Sequence, residues 1–75
     1  MFEQLKEILV EEMQIKEETI NLGAELVNDL NMNSIELSEL VLACEEKFNV
    51  EIDEERAKTF VTIKDVVEYM EEIVD

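Results

Sequence analysis

The sequence predicts a small all-α domain with three longer helices, one short helix and a long loop between the first two. Apolar residues recur at intervals of three and four along three segments, which is the spacing of one helix face. Hydrophobic residues make up 47% of the chain, enough to fold it despite a net charge of −15. A length of 75 residues, with no proline and one glycine, predicts one domain spanning residues 1–75.

The first helix and the loop after it differ in how regularly their apolar residues are spaced. The helix is expected to run for roughly three to four turns, with the inward side chains Phe2, Leu5, Ile8, Leu9 and Met13. Between Gln14 and Met32 the spacing becomes irregular, and Asn21 and Gly23 interrupt it. We expect a long loop there, and such loops are often functional. Its predicted core anchors are Ile15, Ile20, Leu22, Leu26 and Leu30.

The second helix is predicted to run from the cap residue Asn33 to about Phe48. Asparagine is a favoured N-cap, and Glu36 stands three residues later, where its side chain can reach back to the cap N–H. One apolar stripe follows this helix and is expected to face the core. It consists of Leu37, Leu40, Val41, Cys44 and Phe48.

Two further helices complete the predicted domain. A short one fits Asp53, as cap, to about Lys58, and a longer one starts at Thr62 with Asp65 in the capping-box position. The inward face of the last helix is predicted to contain Val66, Val67, Met70 and Ile73, with Tyr69 at its edge. The segments "FNVEI" and "TFVTI" alternate as strands do, so a small hairpin is an alternative, but neither carries a tight-turn signal.

The charge and the single cysteine exclude several classes of function. Six basic residues against 21 acidic ones argue against nucleic acid and against anionic membrane surfaces, and favour basic proteins as partners. Cys44 has no second cysteine to pair with. The start "MFEQLKEILVEEM" lacks the basic region of a signal peptide, and the longest apolar run is too short to span a bilayer. We therefore expect a cytoplasmic protein without membrane insertion.

The stretch "DLNMNSIELSEL" allows two interpretations. Asp29, Asn31 and Asn33 alternate like the first ligands of an EF-hand calcium loop. That loop requires Gly at its sixth position and Glu at its twelfth, where this chain has Ser34 and Leu40. The match to a calcium loop is therefore weak, and we predict no metal site.

In the other interpretation, the same stretch leads into a helix. The capping argument places Ser34 on the first helical turn, pointing outward, where free N–H groups and the helix dipole favour an attached anion. Serine is also simply a good residue at a helix start. The sequence thus offers Ser34 as a modification site without excluding the plainer role.

The outer face of the second helix carries apolar residues among carboxylates. Ile35 and Leu42 project to the side opposite the apolar stripe, together with Glu39 and Glu46. Such a face is typical of a docking surface for a partner with apolar pockets and basic residues. Scattered exposed apolar residues are also normal. The chain has no histidine, and we find no pattern of catalytic acid, base or nucleophile.

At this point the residues resemble a known family. "ELVNDLNMNSIELSELVLACEEKFNVEI" is similar to the acyl carrier proteins, whose usual pattern is D-L-G-x-D-S-L, an E-L-V-containing helix, E-E-x-F and an E-I-P-type turn. The likeness continues through "EERAKTFVTIKDVVEYM", so it covers nearly the whole chain. The serine at the helix start, the acidic run and the terminal T-x-x-D helix all agree in spacing.

The resemblance implies a monomeric four-helix carrier without catalytic activity. In the family, a holo-carrier-protein synthase transfers 4′-phosphopantetheine from coenzyme A onto the motif serine, here Ser34. The thiol of this arm carries acyl groups as thioesters to basic-surfaced synthases, reductases and acyltransferases of fatty-acid or related lipid and polyketide biosynthesis. By resemblance, partner recognition maps to Asn33, Ile35, Glu36, Glu39, Leu42, Glu45 and Glu46. The acyl-chain pocket would involve Leu40, Cys44, Phe48, Ile52 and Phe60.

The chain departs from the family pattern at four positions. Asn33 replaces the acid that usually precedes the serine, and Ile35 replaces the usual leucine. Asn31 replaces a glycine, and Asp53 stands where proline is common. A dedicated pathway, including an aminoacyl or peptidyl carrier, therefore remains an alternative. So does an unmodified acidic interaction module.

Overall fold

The helices of this protein lie close to where the sequence predicts them. A computed structural model describes residues 1–74; Asp75, the last residue of the predicted domain, lies outside the described residues. The chain forms α1 (Phe2–Glu11), a short 3₁₀ helix (Glu17–Thr19), α2 (Ser34–Phe48), α3 (Glu54–Ala57) and α4 (Ile63–Ile73). The predicted all-α fold, with three longer helices and one short one, is confirmed.

Reciprocal side-chain hydrogen bonds set the starts of α2 and α4. Asn33 Oδ1 accepts from the Glu36 N–H at 2.9 Å, and Glu36 Oε1 accepts from the Asn33 N–H at 3.2 Å. Thr62 Oγ1 accepts from the Asp65 N–H at 3.2 Å, while Asp65 Oδ2 accepts from the Thr62 N–H at 3.0 Å. Both predicted capping boxes are confirmed, and each satisfies two backbone donors that the helix leaves free.

Residues in the left-handed conformation end α1 and α2. Gln14 has φ 57°, and the next N–H, that of Ile15, donates to the carbonyl of Leu9 at 3.0 Å. Asn49 has φ 53°, and the N–H of Val50 donates to the carbonyl of Glu45 at 3.1 Å. Asparagine tolerates this conformation better than most residues.

Four of the five predicted anchors hold the long loop to the core, and two of these four, Ile15 and Leu30, are partly buried against it. Ile20 and Leu26 are buried, and Ala24 and Met32, which the sequence did not single out, are buried as well. The prediction that Leu22 is an anchor is wrong, because 45% of it is exposed.

A turn closed by Asn21 explains the exposure of Leu22. The N–H of Gly23 donates to Asn21 Oδ1 at 3.0 Å, and the N–H of Ala24 donates to the Asn21 carbonyl at 3.0 Å. These two bonds place Leu22 at the tip of a turn, where a side chain projects into solvent.

Backbone hydrogen bonds join this loop to the segment that enters α4. The N–H of Leu26 donates to the Val61 carbonyl at 2.8 Å, and the N–H of Ile63 donates to the Ala24 carbonyl at 3.0 Å. They flank an isolated antiparallel bridge between Glu25 and Thr62. The alternative hairpin is therefore wrong. Backbone groups of the segment before α4 form hydrogen bonds with the loop instead of with a hairpin partner. Residues 1–74 contain no strand.

One cluster of buried side chains joins α1, α2 and α4. Its most buried members are Leu5, Leu9, Leu26, Cys44, Ile63, Val66 and Met70. Tyr69, expected at the edge of the inward face, is only 7% exposed and belongs to this core. In the part of the chain that the structure describes, no helix has the length and apolar character needed to cross a membrane.

Candidate functional site

Ser34 is the first residue of α2 and is exposed to solvent. Its position follows from the capping box, because Asn33 occupies the N-cap and Ser34 takes the next position along the chain. The first-turn N–H groups and the positive end of the dipole of this 15-residue helix lie beside the hydroxyl. A phosphate attached there is stabilised by the same interactions that bind anions at helix N-termini.

The oxygens that first resembled calcium ligands make hydrogen bonds to the backbone. Asp29 Oδ2 accepts from the N–H of Glu25 at 2.7 Å, and Asn33 Oδ1 caps α2. Asn31, where the family usually has glycine, adopts φ 57°, a conformation that asparagine tolerates. These contacts are those of a loop that leads into a helix.

An open groove of about 1320 Å³ runs beside Ser34, between α2, α3 and α4. Its apolar lining comes from Leu37, Val41, Leu42, Ile52, Ala57, Phe60 and Tyr69. Its polar lining comes from Ser34, Ser38, Glu45, Glu51, Asp53, Glu54, Glu55 and Lys58. The modification candidate and a groove with a partly apolar lining therefore share one surface of the domain.

The α2 wall of this groove follows helical spacing from Ser34. Leu37, Ser38 and Val41 lie three, four and seven residues after Ser34, which puts all four on one helix face. Leu37 and Val41, which the sequence places on the core stripe, are half-buried and pack against the core while also lining the groove. Their spacing from Ser34 is consistent with this lining, but it fits a core-facing stripe equally well.

The residues predicted for the acyl-chain pocket divide into two groups. Ile52 and Phe60 line the groove. Leu40 and Cys44 are buried in the core, and Phe48 is half-buried and packs against it. Of the five predicted residues, only Ile52 and Phe60 line the groove beside Ser34.

Four of the predicted recognition residues form an open face of α2. Ile35 is 71% exposed and Leu42 is 58% exposed. Glu39 and Glu46 are exposed as well. Apolar contact area is thus available on α2 beside carboxylates, and the single basic residue of this helix is Lys47, in its last turn.

The other two predicted recognition carboxylates already make hydrogen bonds within the domain. Glu36 belongs to the capping box of α2. Glu45 is half-buried, and its Oε2 accepts from the N–H of Ile52 at 2.7 Å, across the turn that follows α2. Glu45 therefore fixes the position of Ile52 in the groove wall.

Tyr69 connects α3 to α4 on the far side of the groove. Its hydroxyl accepts a hydrogen bond from the N–H of Asp53 at 3.1 Å, and the Arg56 guanidinium lies 4.7 Å from its ring centre. Asp53 has φ −66°, which would suit the proline common in the family, but proline has no N–H to donate. The departure at Asp53 thus supplies a contact to Tyr69, besides capping α3 through the N–H of Glu55.

Cys44 is a buried thiol without a reactive environment. Burial raises its pKa to about 12, and the negative charges of Glu12 and Glu45 act in the same direction. The thiolate is the reactive form of cysteine, so this side chain packs as a small apolar group. The sequence-based assignment of Cys44 to the core is confirmed.

Comparison with known families agrees with this geometry. Residues 3–70 match a family model described as "Phosphopantetheine attachment site". The match covers most of the chain, and the chain belongs to this family of carrier proteins. Its prosthetic group is 4′-phosphopantetheine, and the exposed hydroxyl beside the N-terminus of α2 fits a group attached through phosphate.

Three of the most similar relatives are each named acyl carrier protein. The chain is 41% identical to that of Wolinella succinogenes over 71 residues, covering 95% of this chain and 93% of the relative. It is 39% identical to that of Clostridium perfringens over 72 residues, or 96% and 95% of the two chains. It is 38% identical to that of Helicobacter acinonychis over 72 residues, or 96% and 92%. The resemblance to the acyl carrier proteins is confirmed.

Proposed function

We propose that this chain is a non-catalytic acyl carrier that bears its 4′-phosphopantetheine on Ser34 and works in the cytoplasm, in fatty-acid or a related biosynthesis. The observation that carries the proposal is the position of the serine. Ser34 is the first residue of a capped helix, is exposed, and lines a groove with a partly apolar lining. The hydroxyl of Ser34 is thus accessible, lies at a helix terminus that favours phosphate, and stands beside a groove that can contact an acyl chain.

Loading requires one transfer at the Ser34 hydroxyl. A holo-carrier-protein synthase brings coenzyme A to it, a base of the synthase accepts the hydroxyl proton, and the oxygen bonds to the phosphorus next to the pantetheine. The bond from that phosphorus to the adenosine bisphosphate half of coenzyme A breaks, and this half leaves. The chain itself positions the oxygen through Asn33 and Glu36, whose capping box fixes the first turn.

The bound arm supplies a thiol that holds an acyl group as a thioester. The groove beside Ser34 provides Leu37, Val41 and Ile52 as apolar surface on the α2 side. Each methylene removed from water there stabilises the loaded protein by up to about 0.8 kcal/mol. Aminoacyl cargo carries a charged α-amino group that would lose hydration against such a lining, so the groove favours acyl cargo.

We propose that the protein is a monomer and that its partners dock on the outer face of α2. Ile35 and Leu42 offer apolar contact, while Glu39 and Glu46 offer unpaired charge to basic residues. The net charge of −15 steers encounter with basic-surfaced synthases, reductases and acyltransferases.

A direct experiment incubates the protein with coenzyme A and a promiscuous phosphopantetheinyl transferase, then measures intact mass. We expect a gain of one phosphopantetheinyl group in the wild type and none in Ser34→Ala. Ser38→Ala is the matched control, because Ser38 is exposed, lies one turn further along α2 and lines the same groove. Loading of Ser34→Ala, or loss of loading in Ser38→Ala, would contradict attachment at Ser34.

The second candidate function is an unmodified acidic interaction module. The exposure of Ile35 and Leu42 among carboxylates favours it, since a docking face needs no prosthetic group. It predicts that Ser34→Ala keeps full biological activity, whereas the carrier proposal predicts complete loss. Complementation of a strain that lacks the protein distinguishes the two.

A further inference from the structure

The groove meets the core at a pair of aromatic rings. Phe60 and Tyr69 both line it, with ring centres 5.5 Å apart and planes tilted by 58°, and this distance lies within the range of favourable aromatic pairs. Tyr69 is 7% exposed, and Phe60 packs against the buried cluster. An acyl chain that extends along the groove toward the core reaches these rings.

The two rings differ in how firmly they are held. Tyr69 is fixed by the hydrogen bond from the Asp53 N–H, and its ring is covered by the Arg56 guanidinium. Moving it would leave a part-buried polar group unpaired. The side chain of Phe60 is apolar and cannot form a hydrogen bond, and Phe60 lies in the segment between α3 and α4. Of the pair, Phe60 is the ring that an apolar chain can replace.

We propose that Phe60 sets the length of acyl chain that the domain shelters. Short chains lie in the groove in front of the Phe60 ring, and the far end of a longer chain stays in solvent. This proposal rests on the proposed function, because it needs an acyl group on Ser34. It deepens that function by naming the residue that selects cargo length.

The test loads the wild type, Phe60→Ala, Phe60→Leu and Phe48→Leu with straight-chain acyl groups from acetyl to dodecanoyl. Intact mass confirms loading, and urea unfolding then gives the unfolding constant for each length. Because every variant is compared with its own acetyl form, the destabilisation caused by the substitution itself cancels. Phe48→Leu is the matched control, since Phe48 is a half-buried phenylalanine that does not line the groove.

Each sheltered methylene is expected to lower the unfolding constant by up to about fourfold. In the wild type this gain should stop at a short chain. In Phe60→Leu it should continue to a longer chain, and in Phe60→Ala to a longer one still. If Phe60→Ala does not fold, Phe60→Leu alone decides.

Two outcomes overturn the inference, and they are distinguishable from failure of the proposed function. Full loading with the same limiting chain length in the wild type and both Phe60 variants overturns it. An equal extension in Phe48→Leu overturns it as well, because the effect would then come from general loosening of the core. Absence of any mass gain at the first step refutes attachment at Ser34, and the length inference falls with it.

Discussion

The carboxylate of Glu45 accepts a hydrogen bond from the backbone N–H of Ile52 at 2.7 Å. This bond joins the last turns of α2 to the segment that forms one wall of the groove beside Ser34. Glu45 was expected to present its charge to partner proteins. Its half-buried carboxylate instead holds the groove wall in place.

Replacing Glu45 should therefore destabilise the fold more than replacing its exposed neighbour. Glu45→Ala leaves the part-buried Ile52 N–H without its acceptor, which costs about 1–3 kcal/mol. Glu45→Gln should cost less, because the amide oxygen can still accept. Glu46→Gln, one residue along on the exposed face, is the control and should change stability little. Urea unfolding measures all three; equal stability of Glu45→Ala and Glu46→Gln would contradict the assigned role.

The residue before the serine tests the charge contribution to loading. Asn33→Asp keeps the cap, because aspartate and asparagine are equally good N-caps, and it restores the acid usual in the family. We expect an unchanged unfolding free energy and faster loading by a general holo-carrier-protein synthase, with the gain shrinking as salt is raised. Asn33→Ala, the control for the cap, should lose about 1 kcal/mol. An unchanged loading rate in Asn33→Asp would show that a negative charge at this position does not affect recognition by the synthase.

The Cys44 thiol should resist alkylation in the folded protein. In holo protein at mildly alkaline pH, only the arm thiol is expected to react with a thiol reagent, and in apo protein none. Both forms should gain one reactive thiol in urea. Rapid reaction of folded apo protein would contradict the burial of Cys44.

The raised pKa of Cys44 also predicts a pH dependence. Above the ordinary thiol pKa of 9.0 the unfolded state releases a proton that the folded state keeps, up to about 12. Stability relative to Cys44→Ala should therefore fall with rising pH in that window, by at most about 1.4 kcal/mol per pH unit. Urea unfolding of both proteins across the window measures the difference, and a constant difference would refute the prediction.

The capping box of α4 should make stability depend on acid pH. The N–H groups of Thr62 and Val61 donate to the Asp65 carboxylate and lower its pKa. A lowered pKa contributes stability above the unfolded pKa, and this is lost as pH falls through the folded value. Asp65→Ala should cost about 1 kcal/mol at neutral pH and much less in strong acid. Glu68→Gln, exposed on the same helix, should show no such pH-dependent loss.

Local sequence patterns predicted the helices well because local interactions build them. The caps at Asn33 and Thr62 act over three residues, so the chain within one turn decides where α2 and α4 begin. The same local argument placed Ser34 on the first turn of α2. The prediction for Leu22 was wrong because its apolar character was given more weight than the local turn that Asn21 and Gly23 form around it.

Some features of the candidate site also follow from local sequence, and others depend on tertiary packing. The sequence by itself determined an exposed serine at a helix start, an acidic outer face on α2, and apolar residues with helical spacing. Only the tertiary structure decided that Leu37 and Val41 line a groove, that Glu45 supports its wall, and that Tyr69 is buried against Phe60. These features join residues from Ser34 to Tyr69, and no local pattern reports such pairings. They arise when α2, α3 and α4 pack together, because packing chooses which faces meet.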